Sequence, residues 1–283
     1  MCRLFGFRSV IYSQVHQSLV AADNALETQS HRHPHGWGVA YYVAGSPHLI
    51  KSERSALNDV IFKKVSGIVS SQTVLAHVRK ATLGKVDILN THPFQYGPWV
   101  FAHNGNIKNF ADHKEQILSE ISPHFKRFIL GETDSELIFF YLLSSMANKH
   151  QLLDSDYPLS IAFQAIKEAI TSLAKIVGDI NFENTGPDTE TYLTFIMTNG
   201  ALMVAHGGGK DLYYSTYKRR CGERDSCPSF SPECEAATTS GLVNHLIFAS
   251  EPLQGENIWI RVKDGELIGV DAGMRLNSTH ELK

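Results

Sequence analysis

Apolar and polar positions alternate through much of this chain and switch to a helical period in a few stretches. At the start, Cys2, Leu4 and Gly6 lie opposite Arg3 and Phe5, with Phe7 following, which predicts a short buried strand. Leu19, Ala22 and Leu26 give residues 17–28 a helix-like spacing. Residues 30–38, rich in histidine and glycine, read as a loop entering a strand over 39–43. A helix over 61–69 and a strand over 73–78 follow. A further strand over 100–102 is expected to end in His103-Asn104-Gly105-Asn106, because Asn-Gly tolerates the positive φ of a tight turn.

Thr133 or Asp134 then begins a helix with Glu136 in its first turn and Leu137, Phe140, Tyr141 and Leu143 as its apolar stripe. A second helix is expected over 159–177. Beyond Gly186 the period returns to two, predicting strands over 191–198, 202–206, 212–215, 246–249, 258–262 and 266–270. Residues 218–241 are polar and cysteine-bearing, and read as an insertion loop. Strands and helices come in runs, which favours an α+β architecture over a doubly wound sheet. With no internal repeat and no clear linker, residues 2–283 are expected to form one domain.

Composition narrows the class. Of 283 residues, 43% are hydrophobic and 19% charged, enough apolar chain for a sizeable core and far from a disordered composition. Lys and Arg number 26 against 29 Asp and Glu, a net −3, and the densest basic cluster (Lys218, Arg219, Arg220, Arg224) is broken by acidic residues. That argues against nucleic acid as a partner. Apolar runs such as 137–143 are too short to span a bilayer, and no secretory leader is apparent, so a soluble cytoplasmic protein is expected.

Candidate metal chemistry is thin. His31, His33 and His35 alternate, but Pro34 and Gly36 break a strand there, and the segment reads as a loop near the site. Cys221, Cys227 and Cys234 have spacings of six and seven, unlike a C-x-x-C knuckle. Reduced thiols are favoured, with a disulfide or a three-thiolate zinc site left open. Neither a metal nor a cofactor is expected.

Cys2 is different. Removal of Met1 would give one residue both a thiol and a free α-amine, and an amine titrating at about 7.7–8.0 can take a thiol proton. By position alone the favoured reading of Cys2 is a small buried residue on an edge strand. Asn104 and Gly105 offer a side-chain amide and a backbone N–H to a developing oxyanion. Arg79, leaving a strand, suits a carboxylate. Asp134, at a helix start, could be a simple N-cap or could hold an ammonium group.

Taken together, six segments resemble the class II glutamine amidotransferases, the N-terminal-nucleophile amide hydrolases. They are residues 1–6 (MCRLFG), 35–38 (HGWG), 77–82 (HVRKAT), 90–94 (NTHPF), 103–105 (HNG) and 131–136 (GETDSE), in family order across the first 145 residues. The resemblance implies a four-layer αββα sandwich of two antiparallel sheets, with residues 186–283 completing it. It implies Cys2 as nucleophile, Asn104 and Gly105 as oxyanion hole, Arg79 and Asp134 as ligands of the substrate's α-carboxylate and α-ammonium, and Thr82 and His92 as supports of the pocket wall.

The tail, 245–259, resembles free-standing YafJ-like and γ-glutamyl-hydrolysing members, and Leu83 replaces a histidine common in larger ones. The expected activity is hydrolysis of the glutamine side-chain amide through a thioester on Cys2. γ-Glutamyl peptide hydrolysis at the same site is the alternative, and a non-catalytic amino-acid or partner-binding module the second. The partner is a small molecule, with a separate synthase subunit as a further candidate.

Overall fold

A computed structural model describes residues 2–15, 17–57, 59–187, 189–222 and 224–280; Met1 and the last three residues of the expected domain lie outside them. In chain order the first half holds β1 (Arg3–Gln14), α1 (Leu26–Gln29), β2 (Trp37–Val43), β3 (Ser46–Ser52), α2 (Val60–Ile68), β4 (Ser70–Val78), β5 (Phe94–Tyr96) and β6 (Trp99–Asn106). The helices α3 (Phe110–Glu120), α4 (Pro123–Lys126), α5 (Asp134–Ala147) and α6 (Leu159–Val177) follow. The chain then continues through β7 (Tyr192–Thr198), β8 (Met203–His206), β9 (Tyr213–Ser215), β10 (Gly241–Leu242), β11 (His245–Ala249), β12 (Ile260–Arg261), β13 (Leu267–Val270) and β14 (Arg275–Ser278).

The strands form two seven-stranded antiparallel sheets, ordered β12-β9-β11-β1-β4-β2-β3 and β10-β14-β13-β8-β7-β6-β5. Three apolar layers hold them. Leu4, Leu75, Val100, Ala102, Ile196 and Phe248 fill the space between the sheets. Phe5, Trp37, Val39, Phe62 and Val65 join the first sheet to α1 and α2, while Phe101, Phe139, Phe163 and Phe195 join the second to α3–α6. Residues two apart on a strand share a face, so both faces of each central strand are apolar and each sheet is covered on both sides. The result is the expected αββα sandwich.

Two expectations need correction. Asn104-Gly105 is not a turn: β6 runs on through Asn106, paired to β7 at Asn104–Thr194 and Gly105–Leu193. Gly105 serves close approach, since a Cβ there would lie 2.0 Å from the Tyr192 carbonyl oxygen. The expected helix over 17–28 is two pieces, a π-turn at Gln17–Ala21 and α1. Asn24 leaves the helix to donate to the Pro252 carbonyl at 2.8 Å and accept from the Gln254 N–H at 3.0 Å. Tertiary contact there overrides the local apolar spacing.

Candidate active site

β1 is an inner strand, held between β11 and β4. Its inward face carries Leu4 and Gly6, and a Cβ on Gly6 would sit 3.2 Å from Ile196 of the other sheet. Cys2, two residues before Leu4, continues that row towards the end of the layer between the sheets. Its thiol lies against the chain just past β4: the Lys80 N–H donates to Sγ at 3.4 Å and Sγ donates to the Lys80 carbonyl at 3.5 Å. Surrounding protein raises the thiol's pKa, while the Lys80 backbone and the Arg79 charge act to lower it.

Arg79 is buried, and its guanidinium is aimed by backbone alone. Nη1 donates to the Lys85 carbonyl at 2.9 Å and Nη2 to the Leu83 carbonyl at 2.8 Å. The loop supplying those carbonyls is tied to the start of α5 through Asn90, whose Oδ1 accepts from the Glu132 N–H at 2.8 Å.

Asp134 is the first residue of α5, but Thr133 caps the helix by accepting from the Glu136 N–H, so the capping role expected as one reading of Asp134 belongs to its neighbour. The Asp134 carboxylate instead turns to neighbouring backbone donors. Its Oδ2 accepts from the Ile107 N–H at 2.7 Å and its Oδ1 from the Ser135 N–H at 2.7 Å. Burial raises its pKa to about 6, with those backbone donors pulling the other way.

Asn104 stands on the facing sheet, two residues beyond Ala102 of the shared apolar layer, with its Oδ1 buried and unpartnered. Leu193, opposite Gly105, turns its own N–H to the Gly208 carbonyl at 2.8 Å. Facing residues of an antiparallel pair either both bond across it or both turn away. Gly105 therefore presents its N–H to the edge of β6 that β5, ending opposite Phe101, leaves open. A cleft of about 450 Å³ opens nearby, lined by the exposed Thr82 with Leu83, Asn106, Ile107 and Asp112.

His92 is buried and packed on His77, the β4 residue two before Arg79, with ring centroids 4.2 Å apart. Burial keeps both imidazoles neutral, with pKa values well below the ordinary range. Among the described residues no group of three or more His, Cys, Asp or Glu side chains could hold a metal, and all four cysteines are free. Nor does any described helix have the length and apolarity to cross a membrane. The structure adds Leu83, Lys85, Ile107 and Ser135, three of which act through backbone groups that leave no mark in the sequence.

A family model of the class II glutamine amidotransferases matches residues 1–282. The chain belongs to that family. It is similar to a putative glutamine amidotransferase of Haemophilus influenzae, 28% identical over 86% of this chain and 76% of that protein. YafJ of Escherichia coli, a putative glutamine amidotransferase, is 26% identical over 83% and 84% of the two chains. The γ-glutamyl-hercynylcysteine sulfoxide hydrolase of Mycobacterium tuberculosis is 33% identical over 38% of this chain and half of that one.

Among solved structures, the class II glutamine aminotransferase domain protein of Silicibacter pomeroyi covers 98% of this chain and 97% of its own at TM-score 0.62 and 20% identity. The glutamine phosphoribosylpyrophosphate amidotransferase of Bacillus subtilis matches 98% of this chain with 48% of its own, at TM-score 0.59 and 15% identity. These likenesses show the same fold, two antiparallel sheets between layers of helices. This class II glutamine amidotransferase is an enzyme of glutamine-amide chemistry.

Proposed function

We propose that residues 2–283 work as one catalytic unit that cleaves the side-chain amide of glutamine through a thioester on Cys2. The observation that carries this reading is the meeting of the Cys2 thiol with Lys80, the residue that follows Arg79, with the buried Asp134 close enough for its charge to act on the thiol. A nucleophile flanked by a fixed cation and a fixed anion matches an amide whose far end is an amino-acid zwitterion.

In this reading loss of Met1 frees the Cys2 α-amine, which takes the thiol proton as sulfur attacks the amide carbon. Asn104 and the Gly105 N–H stabilise the oxyanion. The C–N bond then breaks, the amine returns its proton to the departing ammonia, and water hydrolyses the thioester to glutamate and free thiol. Arg79 takes the α-carboxylate, Asp134 the α-ammonium, Thr82 borders the leaving-group side, and His92 supports the wall from behind.

The open cleft beside Thr82 and the likeness to a γ-glutamyl hydrolase favour a second substrate class, γ-glutamyl amides with larger leaving groups, at the same residues. The partner is then the small molecule alone; ammonia transfer would instead need a separate synthase subunit.

Intact mass before and after 6-diazo-5-oxo-norleucine tests the assignment. Loss of Met1 and one adduct on Cys2, blocked by excess glutamine, are expected. Retained Met1 with no adduct would sink it in favour of a non-catalytic binding module. Rates across γ-glutamyl amides of graded leaving-group size then separate the two substrate classes.

A further inference from the structure

His103 is fully enclosed on the helix-facing side of β6, away from the cleft. Its Nε2 lies 2.9 Å from the Tyr192 carbonyl oxygen and its Nδ1 2.9 Å from Ser135 Oγ. Ser135 Oγ in turn lies 3.2 Å from Asp134 Oδ1. These groups form one chain, Tyr192 carbonyl to His103 to Ser135 to Asp134, and its hydrogens can be counted.

A carbonyl only accepts, so Nε2 carries a hydrogen. A neutral His103 then has a bare Nδ1, which must accept from the Ser135 hydroxyl. Ser135 has a single hydroxyl hydrogen and cannot also give it to Asp134. The other consistent arrangement needs a cationic His103, with Nδ1–H donating to Ser135 and Ser135 donating to Asp134. Full enclosure disfavours that cation, pulling the imidazole's pKa down to about 4.

We infer that His103 is a positioning residue for substrate recognition: by holding the Ser135 hydroxyl hydrogen, it keeps Asp134 Oδ1 open to accept from the substrate's α-ammonium. Without the imidazole acceptor, Ser135 turns to the carboxylate and competes with the ammonium for it. This rests on the assignment of Asp134 to the α-ammonium given above.

The test compares glutamine with glutaramate, the same amide lacking the α-ammonium, in wild type, His103→Leu and His103→Leu with Ser135→Ala. Leucine fills similar buried space and offers the Ser135 hydroxyl no acceptor, whereas a glutamine would bring its own in Oε1. In His103→Leu the KM for glutamine is expected to rise about tenfold, the worth of one charge-assisted hydrogen bond, with kcat held within about twofold. KM for glutaramate should not move, and adding Ser135→Ala should bring the glutamine KM back to within about threefold.

Equal losses on both substrates, or no recovery in the double variant, would overturn the inference. Should His103→Leu not fold, Ser135→Ala alone decides: a glutamine-selective rise in KM of about tenfold overturns it, and a change under about threefold upholds it. If Asp134→Asn leaves the preference for glutamine over glutaramate intact, the fault lies with the Asp134 assignment itself.

Discussion

Cys2 and Lys80 hold each other through the backbone: one peptide N–H reaches the sulfur at 3.4 Å, and the sulfur reaches the carbonyl of the same residue at 3.5 Å. The thiol is thus fixed to the residue that follows Arg79. Cys2 just before β1 and Arg79 just after β4 lie at the ends of two paired neighbouring strands.

If Cys2 is the nucleophile, Cys2→Ala loses at least about 10³-fold in kcat with glutamine binding retained. Steady-state kinetics and calorimetric titration of glutamine check the two halves separately. Loss of binding equal to loss of turnover would contradict the assigned role.

Asp134 gives a pH signature of definite sign. Its folded-state pKa of about 6 is above the ordinary 3.8, so holding it ionised costs the folded protein roughly 3 kcal/mol at pH 8. That cost disappears as pH falls through 6 towards 4. The stability of Asp134→Asn relative to wild type should therefore improve by about that amount between pH 4 and pH 8, followed by thermal melts across the range. Over the same window KM for glutamine in wild type should climb as pH drops below 6, because a protonated carboxyl cannot pair with an ammonium.

Arg79→Lys preserves charge but not the fork. A lysine cannot donate to the Leu83 and Lys85 carbonyls at once and still present a planar pair to a carboxylate. The KM for glutamine is expected to rise roughly tenfold to a hundredfold with a smaller change in kcat. A glutamine analogue lacking the α-carboxylate should show no such penalty.

Gly105→Ala should cost about 1–3 kcal/mol or more, since the new methyl meets the Tyr192 carbonyl oxygen at 2.0 Å and His103 Nε2 at 2.6 Å. Gly67→Ala is the matched control: it lies in α2 with nothing within 4 Å of the new Cβ, and should gain about 0.5–1 kcal/mol. Denaturant unfolding of both variants decides whether close packing, and not glycine content as such, sets the difference.

The legibility of this molecule in its sequence is uneven for physical reasons. Helix α6 is readable to the residue because its apolar stripe is long and uninterrupted. Strands β3 and β5 and helix α3 escape the pattern, being either half-exposed and mixed, short, or sparsely apolar. Asn-Gly carries a strong local turn preference, yet β7 supplies a pairing partner through Asn106 and the longer ladder wins. Side chains with distinctive chemistry, such as Cys2, Arg79, Asn104 and Asp134, stand out in the sequence by themselves. The carbonyls of Leu83 and Lys85 and the Ile107 N–H cannot, because nearly every residue has such groups.

The placement of β1 between β4 and β11 also sets a timetable. One neighbour is complete by residue 78, the other only at residue 249. A ribosome adding about 5–20 residues per second needs on the order of 10–50 s to reach β11. Until then the strand that begins next to Cys2 lacks its second partner. The sheet beside Cys2 is thus closed late, by a strand made more than 200 residues after β1 ends.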